Sequence, residues 1–313
     1  MNKKVAEALA GIIPNKMARN RWRGILRYGP IRAIKLILFL RREKTKAPQH
    51  YLTVCAIAKN EGAYFEEWIE WHRKLGVEKF YIYDNESSDN TKEILAPYVE
   101  SGIVEYTFWA GAKQQLSTYD DCIEKHRLDA CWIAVIDLDE FIVPIKDKTI
   151  PEFLKRFEGF SAVEINWLVY GSGGIQTKES GDVMERFRYH SEPHHYLNRH
   201  IKSIINPRCI FSFIGCHEAA RISGRAADSH GMPIKKNFRE REPQQDIIRI
   251  NHYAVKSYEE FLRKRARGRA RTADLRNMDY FEKYDLNNIY AEKIKNNDTS
   301  HKTVSIQNFK QMG

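Results

Sequence analysis

The chain has 313 residues, enough for one large domain or two ordinary ones. Hydrophobic residues make up 42% and aromatic residues 12%, which excludes a disordered chain. The net charge of +10 is concentrated near the N-terminus: residues 1–50 contain 13 Lys or Arg and 2 Asp or Glu, so the other 263 residues sum to about −1. A near-neutral body argues against a nucleic-acid groove through the fold, and no nucleic-acid partner is predicted.

The N-terminal arm, residues 1–48, is predicted to be basic and amphipathic. In "IRAIKLILFLRREK", residues 31–44, Arg32, Lys35 and Arg42 share one helical sector and aliphatic residues fill much of the rest. Such a helix can lie on an anionic membrane surface, or it can pack on the body with its basic face in water. We expect the membrane contact, with Arg19, Arg21, Arg23 and Arg27 extending the charge upstream.

Five cysteines with irregular spacing and no Cys-x-x-Cys pair predict reduced thiols. The segment "ALAGIIP" is too short for a secretory signal, and no run of about 18 apolar residues predicts a membrane-spanning helix. We therefore expect a cytoplasmic protein associated peripherally with the inner face of the membrane. The cysteines are Cys55, Cys122, Cys131, Cys209 and Cys216.

Predicted strands and helices alternate with short connections from residue 51 to about 141. The segments are "YLTVCAIAKNE", "AYFEEWIEWHRKLG", "VEKFYIYDNESSDN", "TKEILAPYVESG", "IVEYTFWA", "TYDDCIEKHRLDA" and "CWIAVIDLDEF". This order predicts an α/β fold with a doubly wound, mostly parallel sheet. Residues 49–275 form one predicted catalytic domain, divided into a nucleotide-binding half, 49–150, and an acceptor half, 151–275.

After residue 150 the pattern is looser. "AVEINWLVYGSGG" predicts a strand and a glycine turn, while "HIKSIINP" and "DIIRINHYAV" predict further strands. "SYEEFLRKRARGRARTADL" predicts a helix whose basic face meets a diphosphate, a membrane or an anionic acceptor. Residues 276–313 are treated as a C-terminal extension.

Three predicted strands of the first half end in polar tips: "KNE" at 59–61, "DNESSD" at 84–89 and "DLDE" at 137–140. Ligands bind beyond the carboxyl ends of strands in open α/β sheets. The three tips therefore converge on one predicted site, which brings Glu61, Asp84, Asp137 and Asp139 near one another.

Asp137 and Asp139 form an Asp-x-Asp pair that follows the apolar run "CWIAVI". On a strand, residues i and i+2 point to the same side, so both carboxylates can bind one Mg²⁺ or Mn²⁺ ion. A lone Asp-x-Asp is more often an N-cap or a surface turn, but the neighbouring polar tips favour a metal site. Glu140 is expected on the opposite face, in a salt bridge or hydrogen bond that orients a ligand.

Six segments, in this order and spacing, resemble glycosyltransferase family 92 from about residue 51 to about residue 270. They are "CAIAKNE", "YIYDNESSDNT", "WIAVIDLDEFIVP", "NWLVYGSGG", "HIKSIINP" and "NHYAVKSYEEFLRKRARG". The resemblance implies a GT-A fold, related to family 2-like glycosyltransferases. It also implies inverting transfer of a sugar, with galactose as a candidate, from a nucleotide-diphosphate sugar such as a UDP-sugar. The acceptor would be a hydroxyl of a glycan or lipid-linked glycan.

The resemblance also implies roles for individual residues. Asn60 and Glu61 would meet the nucleotide, Asp84 would accept hydrogen bonds from its base or ribose, and Lys202 would pair with a phosphate. A metal held by the Asp-x-Asp pair would neutralise the leaving diphosphate.

Two further roles stay open at this point. A late histidine, His217 or His252, would complete the metal shell. Glu185 is the first choice for the general base that deprotonates the acceptor hydroxyl. The rival carboxylates for that role are Glu164, Asp182 and Glu218.

Two other functions are weighed against this one. A nucleotidyltransferase would need a basic, glycine-rich loop after the first strand, whereas "AKNEGAYFEEW" is acidic and has one glycine. A non-catalytic membrane adaptor anchored by residues 20–44 leaves the clustered carboxylates unexplained.

Overall fold

A computed structural model describes residues 12–13, 16–268 and 275–292. The strands in chain order are β1 His50–Ala58, β2 Lys79–Asp84, β3 Val104–Phe108, β4 Ala130–Val135, β5 Glu140–Pro144, β6 Ala162–Val169, β7 Tyr189–His190, β8 Ile201–Ile205, β9 Ile210–Gly215, β10 Glu218–Arg221, β11 Ala226–Asp228, β12 Ile248–His252 and β13 Ile289–Tyr290.

The helices alternate with these strands in the first half and are scattered through the second. The α-helices are α1 Lys16–Tyr28, α2 Pro30–Arg42, α3 Gly62–Lys74, α4 Thr91–Glu100, α5 Gln115–His126, α6 Ile150–Leu154, α7 Val183–Arg186, α8 Tyr258–Ala266 and α9 Asp279–Tyr284. Short 3₁₀ turns occupy Lys155–Phe157, Tyr196–Arg199, Pro207–Cys209 and Phe238–Glu240.

One sheet organises the body, in the order β3-β2-β1-β4-β8-β6-β12-β5, with β11 beside β6. Strands β1 to β4 pair in parallel, as predicted. Strand β8 then runs antiparallel to both β4 and β6, and β5 runs antiparallel to β12. The sheet is therefore mixed, and the α/β fold class predicted from the sequence is confirmed.

Strands β1, β2 and β4 of the first half are buried because helices cover the sheet, whereas the edge strand β3 is largely accessible. Strand β1 is buried over its last seven residues, and Leu52, Val54 and Ala56 pack with Phe65 and Trp68 of α3. A parallel strand covered on both faces has a continuous apolar sequence, which is why these elements could be predicted.

The fourth predicted strand is wrong in one important respect. The structure divides "CWIAVIDLDEF" into β4, which ends at Val135, and β5, which begins at Glu140. The two strands occupy distant positions in the sheet, because β8, β6 and β12 lie between them. Asp137 and Asp139 thus lie in the connecting segment rather than on one strand face.

The N-terminal helices pack against the β9–β10 hairpin. Ala33 of α2 is buried with Phe211, Ala220 and Ile222. Gly24 of α1 allows this close approach, since a Cβ atom there would lie 2.7 Å from the Phe211 ring. Within the described residues, every helix falls short of the length and apolar character needed to cross a membrane.

Residues 275–292, assigned largely to an extension, also pack on the body. Strand β13 pairs with β7, and Tyr280 of α9 stacks on Phe261 of α8 with ring centroids 6.2 Å apart. The glycine turn at 171–174 contacts this segment, because the backbone N–H groups of Ser172 and Gly173 donate to Asp285 and Asn287.

Candidate active site

A cavity of about 400 Å³ lies where the polar tips of β1, β2 and β4 meet. The first tip contributes Lys59 and Glu61, and the third contributes Asp137 and Asp139. We call it the donor cavity. The three strand ends therefore meet at one site, as the strand order predicted. The second strand end contributes Asn85 and Glu86 to it rather than Asp84.

Asp137 lies against a buried lysine. Lys202 Nζ donates to Asp137 Oδ2 at 2.8 Å, while Tyr119 Oη and Gln115 Nε2 donate to Oδ1 at 3.2 and 3.3 Å. Burial disfavours a charged Asp137, but the Lys202 ammonium outweighs it and keeps the pKa of Asp137 below its usual value. The positive partner of this carboxylate is a protein side chain.

Glu140 is the third carboxylate of the tip and is fully buried. Its Oε2 accepts from the Asp137 backbone N–H at 3.0 Å and lies 3.3 Å from Lys202 Nζ. Burial raises the pKa of Glu140 to about 8, and the nearby Asp137 and Asp139 carboxylates add to this effect, while the Lys202 ammonium opposes it. The contacts of Glu140 are the structural kind that the sequence predicted.

Asp139 is paired with Lys264 of α8, which also donates to the Ala254 carbonyl at 2.7 Å. His252 Nε2 lies 3.6 Å from Asp139 Oδ2. Burial opposes the charge, yet Lys264 and His252 hold the pKa of Asp139 well below its usual value. Burial in turn lowers the pKa of Lys264 to about 8.

These contacts allow a test of whether a divalent ion fits. Asp139 Oδ2 and His252 Nε2 are close enough to bind the same cation. The Lys264 ammonium contacts the same Asp139 oxygen. In the ranges 12–13, 16–268 and 275–292, no three His, Cys, Asp or Glu side chains are grouped closely enough to hold a metal. Mg²⁺-type sites often use one or two protein carboxylates and complete their shell with substrate phosphates and water. The residues fit such an open site, provided that Lys264 moves aside.

Both candidate histidines line the donor cavity. His252 packs on Trp167 with ring centroids 4.0 Å apart, and its buried Nδ1 has no hydrogen-bond partner. His217 Nδ1 lies 2.6 Å from the Ile201 carbonyl, and burial lowers the pKa of His217 to about 3. His252 is the one that lies beside an Asp-x-Asp carboxylate.

Two predicted nucleotide contacts lie elsewhere. Asp84 does not line the donor cavity, because its two oxygens accept from Ser87 N at 2.9 Å and Tyr106 Oη at 2.6 Å. Asn60 lines a neighbouring cavity, and its Oδ1 accepts from Ser88 N at 2.7 Å. Asp84 therefore orders the turn that carries Asn85 and Glu86 to the cavity wall.

The predicted general base is not in the donor cavity. Glu185 lines a separate cavity of about 200 Å³ next to α3, together with its rival Asp182. The other rivals do not line the donor cavity either: Glu164 pairs with Arg241, and Glu218 accepts from Asn20. Glu185 lies apart from the donor cavity because the short helix α7 packs on α3, where Glu67 accepts from the first backbone N–H groups of α7.

Sequence reasoning missed four long side chains of the donor cavity that come from late in the chain. They are Lys264, Arg267, Arg276 and Tyr280. Arg267 pairs with Glu61 and donates to the Lys59 carbonyl at 2.8 Å, which fixes the loop after β1. The signal available was the Arg-rich helix, but its sequence does not show which basic residues turn inward.

The sequence profile of glycosyltransferase family 92 matches residues 50–305. The chain belongs to this family. Its mixed α/β sheet agrees with the GT-A type that the family resemblance implies. The match continues past residue 276, in agreement with the packing of α9 and β13 on the body of this family 92 chain.

Individual relatives agree with the family assignment. A family 92 protein of Ricinus communis is 23% identical over 220 residues, covering 69% of this chain and 37% of the relative. One of Arabidopsis thaliana is 24% identical, covering 72% and 38%. A beta-1,4-galactosyltransferase of Caenorhabditis elegans is 24% identical, covering 71% and 54%. This family 92 chain thus spans less than two thirds of the length of each.

Solved structures give only a weak likeness. The S. aureus protein TarS, residues 1–349 in complex with UDP, is 11% identical with a TM-score of 0.34, covering 50% of this chain and 47% of TarS. A Mycobacterium tuberculosis glucosyl-3-phosphoglycerate synthase with Mn²⁺ and UDP-glucose is 17% identical with a TM-score of 0.27, covering 42% and 47%. Scores of this size carry no argument about this family 92 protein.

Proposed function

We propose that this chain is a metal-dependent inverting glycosyltransferase. It would move a sugar from a UDP-sugar to a hydroxyl of a glycan or lipid-linked acceptor. The observation that supports this most is the meeting of Asp139, His252 and a set of Lys and Arg side chains in one cavity at the strand ends. The family membership supplies the reaction class.

In this proposal Asp139 and His252 hold a Mn²⁺ or Mg²⁺ ion together with the donor diphosphate. The ion would act as a Lewis acid that offsets the charge growing on the leaving diphosphate. Lys264, which pairs with Asp139 in this structure, would give up that contact to such an ion, and its ammonium would then be available to a phosphate oxygen. Arg276, on the same wall, adds a second cation at this end of the cavity.

Asp137, the other aspartate of the Asp-x-Asp pair, has a positioning role in this proposal. Asp137 is fixed by Lys202, Tyr119 and Gln115, so its carboxylate points into the cavity in one orientation. Asn85 and Glu86, carried by the turn that Asp84 orders, would contact the nucleotide in place of Asp84 itself. Galactose is the donor sugar we favour, since one relative is a beta-1,4-galactosyltransferase.

Calorimetry with UDP, in the presence and absence of Mn²⁺, tests the proposal. The wild-type chain should bind UDP more tightly with Mn²⁺, and Asp139→Asn should lose that gain. Asp147→Asn is the matched control, because Asp147 is also a buried aspartate in an ion pair, with Arg156 at 2.6 Å, outside the cavity. Absence of UDP binding by the wild type would overturn the function.

A donor screen separates the remaining alternatives. Release of UDP from a UDP-sugar, with transfer to an added acceptor, supports the glycosyltransferase. Release of pyrophosphate from a nucleoside triphosphate would instead support a nucleotidyltransferase. Membrane binding without any nucleotide binding would support the non-catalytic adaptor.

We further propose that the arm contacts the anionic inner surface of the membrane. Ile31, Ile34 and Leu38 of α2 are exposed by 72%, 59% and 57%, although they are large aliphatic side chains. Exposed Arg32 and Lys35 lie among them. An apolar ridge with basic neighbours suits the interface of an anionic bilayer. The free thiols of all five cysteines agree with a reducing, cytoplasmic setting.

A further inference from the structure

A second cavity, of about 610 Å³, lies beside the donor cavity and shares Glu61, Lys264 and Arg267 with it. Its other walls come from α3, the turn after β2 and helix α8. We call it the lateral cavity. Nothing in the proposed metal and diphosphate chemistry uses it.

The lateral cavity contains an unusual buried lysine. Lys256 is only 3% exposed, and its Nζ lies 4.0 Å from the centroid of the Tyr64 ring, which lines the same cavity. Within the part of the chain that the structure describes, the Lys256 ammonium makes no hydrogen bond and no ion pair. Burial lowers the pKa of Lys256, although the nearby Glu61 and Asp139 carboxylates oppose this effect.

The carboxylates around Lys256 are already paired with other cations. Glu61 pairs with Arg267, and Asp139 pairs with Lys264. Glu260 is held by a bidentate contact in which Arg186 Nη1 and Nη2 each donate at 2.9 Å. Lys256 Nζ is not fully enclosed, so the ammonium is open to the cavity. An ammonium in such a largely buried site without its own counter-ion is poorly compensated, and one aromatic face offsets only part of the cost.

The backbone at Lys256 is also held in a sparsely populated conformation. Its φ is +58°, in the left-handed region, immediately before the Ser257 N-cap of α8. This geometry directs the lysine side chain toward Tyr64 while the capping box of Ser257 and Glu260 fixes the start of the helix. Backbone conformations of this kind cluster at binding and catalytic sites.

We propose that the lateral cavity binds an oxyanion, a phosphate or carboxylate group of the acceptor, on the ammonium of Lys256. Lys178 on the cavity wall would add a second ammonium, whereas Arg263 on the same wall is paired with Glu259. The wall shared with the donor cavity places this group next to the reacting sugar. Only the assignment to the acceptor rests on the proposed function; the anion site itself does not.

Titration of the full chain with inorganic phosphate, followed by calorimetry, tests the site. Lys256→Met should weaken phosphate binding about tenfold or more, since a charge-assisted contact is lost. Lys113→Met is the matched control, because Lys113 lines the donor cavity and not the lateral one. Equal binding by wild type and Lys256→Met, or a loss confined to Lys113→Met, would overturn the proposal.

A second variant and a second measurement separate loss of the phosphate site from misfolding and from UDP binding. Ala63→Phe changes an exposed residue of α3 at the mouth of the lateral cavity, so it should block phosphate without disturbing the core. With saturating UDP and Mg²⁺, phosphate should still bind the wild type. Displacement of phosphate by UDP would show that both occupy the donor cavity and would overturn the lateral site. Failure of UDP to bind at all would count against the proposed function alone.

Discussion

Lys202 Nζ lies 2.8 Å from Asp137 Oδ2, and its side chain is only 2% exposed. The same ammonium faces Glu140, so Lys202 serves two of the three carboxylates of the tip, while Lys264 pairs with the third, Asp139. The pKa of Lys202 is raised well above the usual value, because the attraction of Asp137 and Glu140 outweighs burial. Two lysines thus compensate the carboxylate tip, and Lys202 is the one on which Asp137 and Glu140 depend.

We expect Lys202→Met to lower the free energy of unfolding by about 3 kcal/mol, because it leaves the Asp137 charge without its partner. The value is at the lower end of the range for buried pairs, since the Asp137 side chain is 33% exposed. Urea denaturation at neutral pH measures it. Adding Asp137→Asn to Lys202→Met should recover much of the loss. A loss below about 1 kcal/mol in the single variant would show that the pair is not important for stability.

Glu185→Gln should leave the turnover of the UDP-sugar within about twofold of the wild type, because Glu185 lies in a cavity apart from Asp139. Asp139→Asn, measured in the same assay, should lower turnover by a factor of about a hundred or more, as loss of an electrostatic contact to the leaving group does. Comparable losses in both variants would restore Glu185 as the base and would require α7 to move on substrate binding.

The first half of the fold was predictable because its information is local. Strands β1, β2 and β4 are largely apolar runs, and polar residues that follow β1 and β4 line the donor cavity. The break between Val135 and Glu140 was not predictable, since it depends on the pairing of β5 with β12, more than a hundred residues later. The local sequence of this segment is compatible both with one continuous strand and with two separate strands.

From the sequence, the site was predictable only as a group of polar strand ends that lie close together. The partner of Asp139 is Lys264, separated by 125 positions, and no spacing rule connects them. Asp84 and Asn85 differ by one position, yet turn geometry decides that Asn85 faces the cavity and Asp84 the turn. Which side chains face inward is decided by tertiary packing, which a single sequence does not record.

His72 should make the fold sensitive to mild acid. Its Nδ1–H donates to the Trp68 carbonyl at 2.7 Å, and its Nε2 accepts from the Ile142 N–H at 3.2 Å, so only the neutral ring fits. Burial lowers the pKa of His72 from 6.5 to about 4. The unfolded chain therefore takes up this proton at higher pH than the folded chain does.

The contribution of His72 to stability is complete above about pH 6.5 and is lost as pH falls toward 4, by up to about 3 kcal/mol. Urea denaturation at pH 7 and pH 4.5 should show a smaller difference for His72→Gln than for the wild type. Glutamine retains a donor and an acceptor but does not titrate. Equal pH dependence in the two proteins would mean that other groups are responsible.

The exposed ridge of α2 provides a test of the membrane proposal. Leu38→Glu and Ile34→Glu each place a negative charge on a side that should face an anionic leaflet, so both should reduce binding to phosphatidylserine vesicles. Phe108→Glu is the control, since Phe108 is 61% exposed but lies at the end of β3, at the far end of the sheet order.

Vesicle flotation at two salt concentrations measures the effect. Both the apolar ridge and the basic residues should contribute, so wild-type binding should fall at high salt without disappearing, because apolar insertion is not screened. If Leu38→Glu and Phe108→Glu reduced vesicle binding equally, that result would contradict a specific contact through α2. Binding abolished by salt alone would mean that basic residues such as Arg32 and Lys35 act without insertion of the aliphatic ridge.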